Sequence, residues 1–204
     1  MTTSKALFGF QPSRKRGSGT NSTGTNEYPI ASAYDTNIFT GDLVIISAGN
    51  VEVAADENEI VQGVFQGCRY VANGEQKFSS YWPADTSATD AYAIIADDPQ
   101  QVFEVQADAS VTAGDLYGSQ NFSVTLGTGS TFTGKSGHGV KATSRTTGIA
   151  MVRTLNPVNE PGNDVADADE RAYLKMNVRL VQHTDNFFPV LVTAPTTITG
   201  YLLG

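Results

Sequence analysis

The sequence has little cysteine and no long apolar run. Its 204 residues include one cysteine, Cys68, which excludes an intramolecular disulfide framework. No apolar stretch reaches the roughly 18 residues of a membrane span, and no basic segment followed by an apolar one opens the chain. These absences predict a soluble protein that is made in a reducing compartment and has no membrane partner.

Histidine is also scarce, and this limits the chemistry that the chain can perform. Two histidines, His138 and His183, and one cysteine do not supply the ligands of a structural zinc site. Neither histidine lies in a nucleophile motif, so no Ser-His-Asp triad is predicted. The acidic clusters at 97–98 and 164–170 are typical of a turn and an exposed loop. We therefore predict no catalytic residue, no cofactor and no metal, and expect that the protein is not an enzyme.

One motif does match a catalytic pattern. Residues 129–136, GSTFTGKS, fit the phosphate-binding loop GxxxxGK[ST]. That loop needs a helix directly after it, because the helix N-terminus holds the phosphates. The residues that follow, Gly137-His138-Gly139, begin a helix poorly, and no alternation of strands and helices surrounds them. We interpret the match as coincidental.

The residues that are abundant favour β-structure. The chain has 18 valines and 23 threonines against 10 leucines, with 20 glycines to form turns. Residues 60–108 organise the chain, because short apolar runs alternate there with turn residues. Strands are predicted over 60–70, 76–82, 91–96 and 101–106, with Asn73-Gly74 as a hairpin turn. The predicted class is all-β: an antiparallel meander closed into a barrel or a sandwich, with little helix.

A weak internal echo follows this stretch. Residues 113–116 (AGDL) resemble 40–43 (TGDL), and 148–151 (GIAM) resemble 63–65 (GVF). Further on, residues 171–183 alternate apolar and polar side chains and predict a strand. The echo leaves open whether the chain contains a duplication.

Four segments are predicted from composition. Residues 1–26 form a flexible basic arm, with Phe8 and Phe10 as an apolar plug and Arg14, Lys15 and Arg16 as a basic cluster. The main β domain covers 27–155, a loop covers 156–170, and a strand with an apolar tail covers 171–204. The first 26 residues carry a charge of +4 and the rest −12. An acidic body repels nucleic acid, so no nucleic-acid partner is predicted.

Aromatic residues outside the arm are assigned to packing. Trp82 and Tyr81 end a predicted strand, where a large aromatic residue usually lies in a core or an interface. The tail contains Phe187, Phe188 and Tyr201 and no charged side chain. An apolar tail must be covered by its own body or by a neighbour, and we favour a subunit interface.

Several segments in a fixed order resemble the capsid decoration, or cement, proteins of tailed bacteriophages. They are the arm GFQPSRKR, then NEYPIASAY, IFTGD, GVFQGC, FSSYWP, DDP and VFEVQ, between residues 9 and 106. The resemblance extends from about residue 8 to residue 155 and thins afterwards to the strand at 175–183.

The resemblance implies a non-enzymatic β protein made in the bacterial cytoplasm and bound to the outer surface of the virion head. It implies that the major capsid protein is the partner and that the protein forms homo-oligomers, with trimers favoured. On this interpretation Phe8, Phe10, Arg14, Lys15 and Arg16 contact the capsid, and a flexible arm strengthens binding through effective concentration.

Three alternatives remain open at this stage. A neck, tail or fibre adaptor would use the same β-fold at low copy number. A carbohydrate-binding module would use Tyr81 and Trp82 as its platform. A hydrolase would depend on the loop that contains Lys135, Ser136 and His138.

Overall fold

Short antiparallel strands are the main regular structure in the computed structural model, which describes residues 6–16, 24–57 and 59–186. The first eight strands are β1 (Gln11–Lys15), β2 (Thr25–Pro29), β3 (Ile38–Phe39), β4 (Leu43–Ser47), β5 (Asn50–Val53), β6 (Gly63–Ala72), β7 (Glu75–Ser79) and β8 (Tyr81–Trp82). The others are β9 (Thr89–Ala96), β10 (Gln101–Gln106), β11 (Asn121–Phe122), β12 (Val124–Thr125), β13 (Gly139–Val140), β14 (Val152–Pro157) and β15 (Lys175–Leu180).

Helical structure in the described residues is limited to three short 3-10 turns, at Ala113–Asp115, Ala142–Ser144 and Arg171–Tyr173. The predicted all-β class, antiparallel and with little helix, is confirmed. None of the described helical turns has the length or the apolar character needed to cross a membrane.

The strands form two main sheets. Sheet I has the order β2-β9-β6-β4-β5, with β7 also paired to β6, and sheet II has the order β1-β10-β15-β14-β11. Two small pairs, β3-β8 and β12-β13, lie beside them. One apolar core lies against sheet I and contains Trp82. A larger one contains Phe10 and combines side chains of sheet II with Leu43, Val64 and Ala96 of sheet I.

The two sheets repeat one topology. In sheet I the strands β2, β4, β6 and β9 are ordered first-fourth-third-second, and in sheet II the strands β10, β11, β14 and β15 follow the same order. Each set is a Greek-key arrangement, because the first strand lies beside the fourth. The sequence echo at residues 40–43 and 113–116 therefore marks equivalent points of two similar four-strand units.

The echoed Gly-Asp-Leu turns are also built alike. The Asp42 N–H donates to the Phe39 carbonyl oxygen, and the Asp42 carboxylate accepts the Phe39 N–H at 2.7 Å. Asp115 makes the same two contacts with Thr112, and its carboxylate accepts the Thr112 N–H at 2.9 Å. Both carboxylates are buried, and each gives a partner to a backbone N–H that would otherwise lack one.

The predicted meander is corrected at three places, the first of which is that β9 pairs with β6 and not with β7. β10 leaves the meander and pairs with β1 and β15 in sheet II, because the turn after β9 directs the chain to the other sheet. The predicted strand 76–82 is interrupted at Ser80, so that β7 pairs with β6 and β8 pairs with β3. Alternation of apolar and polar residues identifies a strand but does not identify its neighbour.

The predicted flexible arm is also corrected. β1 pairs with β10 and belongs to sheet II, and β2 pairs with β9 and belongs to sheet I. Phe10 is fully buried, with its ring edge-on to Phe103 at 6.4 Å between centroids. Phe10 and β1 are therefore part of the β domain, because Phe10 buries apolar surface and the backbone of β1 completes a ladder.

The C-terminal segments differ from prediction in their boundaries. The strand predicted over 171–183 starts at Lys175 and ends at Leu180, and a 3-10 turn precedes it. The loop predicted over 156–170 overlaps the last two residues of β14. Residues 187–204, with Phe187, Phe188 and Tyr201, lie outside the described residues, as do 1–5, 17–23 and 58.

Candidate interaction surface

The residues assigned to capsid contact divide into buried and exposed groups. Phe10 has no exposed surface and cannot contact a partner, so that assignment was wrong. Phe8 is half-buried, with the Lys175 ammonium 6.0 Å from the centre of its ring. The residues that the sequence interpreted as an apolar plug therefore pack against their own chain.

The basic cluster remains accessible in part. Lys15 forms an ion pair with Asp98 at 2.6 Å across the end of β10. Arg14 is exposed, and one of its guanidinium nitrogens donates to Asn156 Oδ1 at 3.0 Å. Arg16 is also exposed. Arg14 and Arg16 are therefore the two members of the cluster that are free to contact another molecule.

Trp82 and Tyr81 lie in and beside the core of sheet I. Trp82 is fully buried, and its ring meets Tyr70 edge-on at 5.3 Å between centroids. Tyr81 is half-buried and stacks on Phe39 at 5.6 Å. A sugar platform needs an exposed aromatic face, so Trp82 cannot serve as one in this conformation.

A buried polar cluster lies where the start of β4 meets the loop before β13. In the sequence this loop stood out only as a poor match to a phosphate-binding loop. The cluster consists of Asp42, Ser136 and His138, each at most 5% exposed. His138 Nδ1 accepts the Leu43 N–H at 3.2 Å, and Nε2 lies 3.4 Å from an Asp42 carboxylate oxygen. Both ring nitrogens are thus committed, and the ring has no free nitrogen with which to take a proton from Ser136.

The cluster therefore joins elements rather than performing catalysis. The Ser136 hydroxyl oxygen accepts the His138 N–H at 2.9 Å within the loop before β13. The Ser136 N–H donates to the Thr40 carbonyl oxygen at 3.0 Å, which fixes this loop against the turn that precedes β4. From the sequence, Ser136 and His138 were candidates only for the hydrolase alternative, and no functional role was predicted for Asp42. The echo of the Gly-Asp-Leu turn was the signal that could have identified Asp42.

Burial controls the ionisation of these groups. It raises the pKa of Asp42 and lowers the pKa of His138, while each partner opposes the shift of the other. Burial also lowers the pKa of His183, against the attraction of Asp185, Asp97 and Asp98. Both histidines are therefore held in the neutral form near neutral pH.

This predicts acid sensitivity. A histidine whose folded pKa is lowered contributes its full stability above the unfolded pKa of about 6.5 and loses it as the pH falls through the folded pKa. We expect the free energy of unfolding, measured by urea titration, to fall between pH 7.5 and pH 5.5. The raised pKa of Asp42 acts in the opposite direction, since it favours uptake of a proton by the folded state.

The matched variant is His138→Asn combined with His183→Asn. The asparagine amide oxygen can replace Nδ1 as acceptor for the Leu43 and Asp185 N–H groups but does not titrate in this range. Its urea midpoint should change less between the two pH values than that of the wild type. Equal pH dependence in both proteins would contradict the assignment.

Neither the phosphate-loop match nor the acidic clusters form a binding site in the described part of the chain. Residues 131–134 form a turn, and no helix follows the GKS segment. No group of three or more histidine, cysteine or acidic side chains among the described residues is placed to hold a metal ion.

Two phenylalanines that the sequence did not single out are highly exposed on adjoining elements. Phe132 is 96% exposed at the tip of a turn closed by the Ser130 N–H and the Lys135 carbonyl oxygen at 2.9 Å. Phe78 is 72% exposed on β7, two residues before Ser80. Gly134, in the same turn as Phe132, packs against Ser80, so the two phenylalanines project from adjoining elements. We call Phe78 and Phe132 the aromatic tip.

Comparison with known proteins adds no relative. No model of a known protein family, no curated protein and no solved structure matches the chain.

Proposed function

We propose that this chain is a non-enzymatic virion protein that binds the outer surface of a tailed-phage head and cements neighbouring major capsid protein subunits. The aromatic tip is the observation that carries the proposal. A side chain as exposed as Phe132 gains almost nothing from its own fold, and a phenylalanine that becomes buried on contact contributes strongly to binding. The geometry favours contact over turnover.

Four segments that carry the family resemblance, NEYPIASAY, IFTGD, GVFQGC and DDP, support this proposal because they meet in one framework. The Tyr28 hydroxyl donates to the Asp97 carboxylate at 2.6 Å, and Gln62 donates to the same hydroxyl at 3.0 Å. The Gly41 N–H donates to the Phe65 carbonyl oxygen at 2.8 Å. Residues that are far apart in the sequence thus meet around sheet I.

The mechanism is stabilisation by mass action. A protein that binds only the assembled lattice shifts the equilibrium towards that lattice. Self-association, with trimers favoured, would present several aromatic tips to adjacent capsid subunits and raise the avidity. In this proposal the folded body contacts the capsid, in place of the flexible arm that the sequence predicted.

The first experiment counts copies of the chain in purified virions of the phage that encodes it, by quantitative mass spectrometry. Copies comparable in number to the capsid subunits are expected. A count limited to one small ring would contradict the cement role and favour a neck or tail adaptor. Absence from the virion would refute both.

A second experiment tests the aromatic tip. Phe78→Ala combined with Phe132→Ala should weaken binding to heads by more than about tenfold, since exposed aromatic anchors dominate such interfaces. Ile149→Ala, at another exposed apolar position, is the matched control and should bind normally. Deletion of residues 1–16 is not informative, because it removes β1 and Phe10 from the domain. Equal binding by the double variant and the control would refute the role of the tip.

A further inference from the structure

Arginine side chains follow one row across the outer face of sheet II. Arg14 in β1 pairs with Val102 in β10, Val102 pairs with Arg179 in β15, and Arg179 pairs with Arg153 in β14. Directly paired residues of an antiparallel sheet point to the same side. Val102 is buried yet belongs to neither core, so it forms the floor of this row.

Arg16 extends the row into a shallow cleft. The cleft has a volume of about 300 Å³ and is lined by Arg14, Arg16, Val102, Tyr117, Leu155 and Asn156. We call Arg14, Arg16, Arg153 and Arg179 the arginine face. It combines four cations with an apolar floor and an exposed aromatic ring.

The arginine face lacks acidic partners of its own. None of its four guanidinium groups forms an ion pair with a carboxylate in the described part of the chain. All of the 21 acidic side chains lie among the described residues, so no undescribed aspartate or glutamate can supply one. Glu104 lies one row away on the same face and is half-buried.

Protection of a sheet edge explains only part of this arrangement. Charged residues on an edge strand prevent aggregation, and β1 is an edge strand that also carries Pro12 and a bulge. Arg153 and Arg179, however, lie on β14 and β15, which have neighbours on both sides. Edge protection does not account for cations on interior strands.

The state of Arg179 points to a ligand. Its Nε is buried and has no hydrogen-bond partner among the described residues. Burial lowers the pKa of Arg179, and the charges of Arg16 and Arg153 lower it further. A buried donor without a partner, beside like charges, is unfavourable until an anion approaches.

Tyr117 beside the arginine face is held in an unusual conformation. Its φ of 59° lies in the left-handed region, and the residue is 73% exposed. The Tyr117 N–H donates to the Leu155 carbonyl oxygen at 2.6 Å, and the Arg153 guanidinium donates to the Gly118 carbonyl oxygen at 2.6 Å. Contacts that hold an exposed ring in a strained backbone conformation are typical of binding sites.

We propose that the arginine face binds an acidic polypeptide segment, in which carboxylates alternate with apolar side chains. Guanidinium groups match carboxylates through paired hydrogen bonds, and Val102, Leu155 and the Tyr117 ring offer apolar contact between them. The net charge of −8 disfavours a densely charged polymer such as nucleic acid. The proposal rests on the proposed function in one respect: the segment would belong to the major capsid protein.

The test measures binding of a fluorescein-labelled peptide of about ten residues with alternating glutamate and leucine, by anisotropy at low salt. Arg16→Glu and Arg179→Gln should each weaken binding by about tenfold, because a carboxylate loses a charged partner. Lys77→Glu, an exposed charge reversal on sheet I, is the matched control and should bind as the wild type does. Thermal melting checks that each variant is folded.

Unchanged affinity in both arginine variants, or no binding of the peptide to the wild type, would overturn the proposal. Tighter binding of a thymidine oligonucleotide of similar charge at the same salt would overturn it in favour of a nucleic acid. Head binding separates the two proposals. If heads bind the wild type and Arg16→Glu equally, the arginine face fails and the proposed function stands. If heads bind neither while the peptide binds, the proposed function fails.

Discussion

Replacing Phe10 with alanine is expected to lower the free energy of unfolding by about 3–5 kcal/mol, the usual effect of emptying a buried phenylalanine site. Phe10 has no exposed surface and packs edge-on against Phe103 in the core of sheet II. The chain also turns at Phe10 to enter β1, since its N–H donates to the Gly41 carbonyl oxygen at 2.9 Å. Urea or thermal denaturation measures the change.

Phe132→Ala is the control for this prediction, because it removes the same side chain from a site that is 96% exposed. Its effect on stability should stay within about 0.5 kcal/mol. If Phe10→Ala were as mild as Phe132→Ala, Phe10 would not belong to the core, and the prediction of a free arm would be restored. The two variants also separate stability from binding, since only Phe132 lies in the aromatic tip.

Replacing Asp42 with alanine is expected to cost about 3 kcal/mol or more. The carboxylate accepts the Phe39 N–H at 2.7 Å, and its other oxygen faces His138 Nε2 at 3.4 Å. The alanine variant would leave the buried Phe39 N–H without its acceptor and would remove the carboxylate that faces His138 Nε2. It would also loosen the junction between β4 and the loop that precedes β13.

Asp35→Ala provides the comparison, because Asp35 is exposed and accepts only the neighbouring Thr36 hydroxyl among the described contacts. Its unfolding free energy should differ little from that of the wild type. A loss of less than about 1 kcal/mol in Asp42→Ala would show that water replaces the carboxylate at this site and that the cluster is not a structural tie.

Residues 113–116 resemble residues 40–43 because the two segments form the same contact in the structure. The sequence similarity between them is nevertheless weak. Both segments place a buried aspartate where it accepts the N–H of the residue three positions earlier. The shared contact needs an aspartate at one position, whereas the strands around it need only apolar residues at the right spacing. Such a repeat therefore leaves few identical residues behind.

The candidate sites were also only partly predictable from the sequence. The basic character of Arg14 and Arg16 was evident from the sequence. Arg153 and Arg179 joined them only because β10, β14 and β15 pair in registers that bring both to the same face as Arg14. The aromatic tip could not be predicted, since Phe78 and Phe132 are 54 positions apart and no periodic pattern marks either as exposed.

The sequence by itself determined the all-β class, most strand positions and the scarcity of catalytic groups. These depend on composition, turn residues and local alternation, which act over a few neighbouring residues. Only the tertiary structure decided that Phe10 and β1 belong to the domain, that β10 changes sheets, and that His138 is committed to Asp42 and Leu43. Those outcomes depend on which distant segments bury each other's surfaces and satisfy each other's hydrogen bonds, and local pattern does not encode that choice.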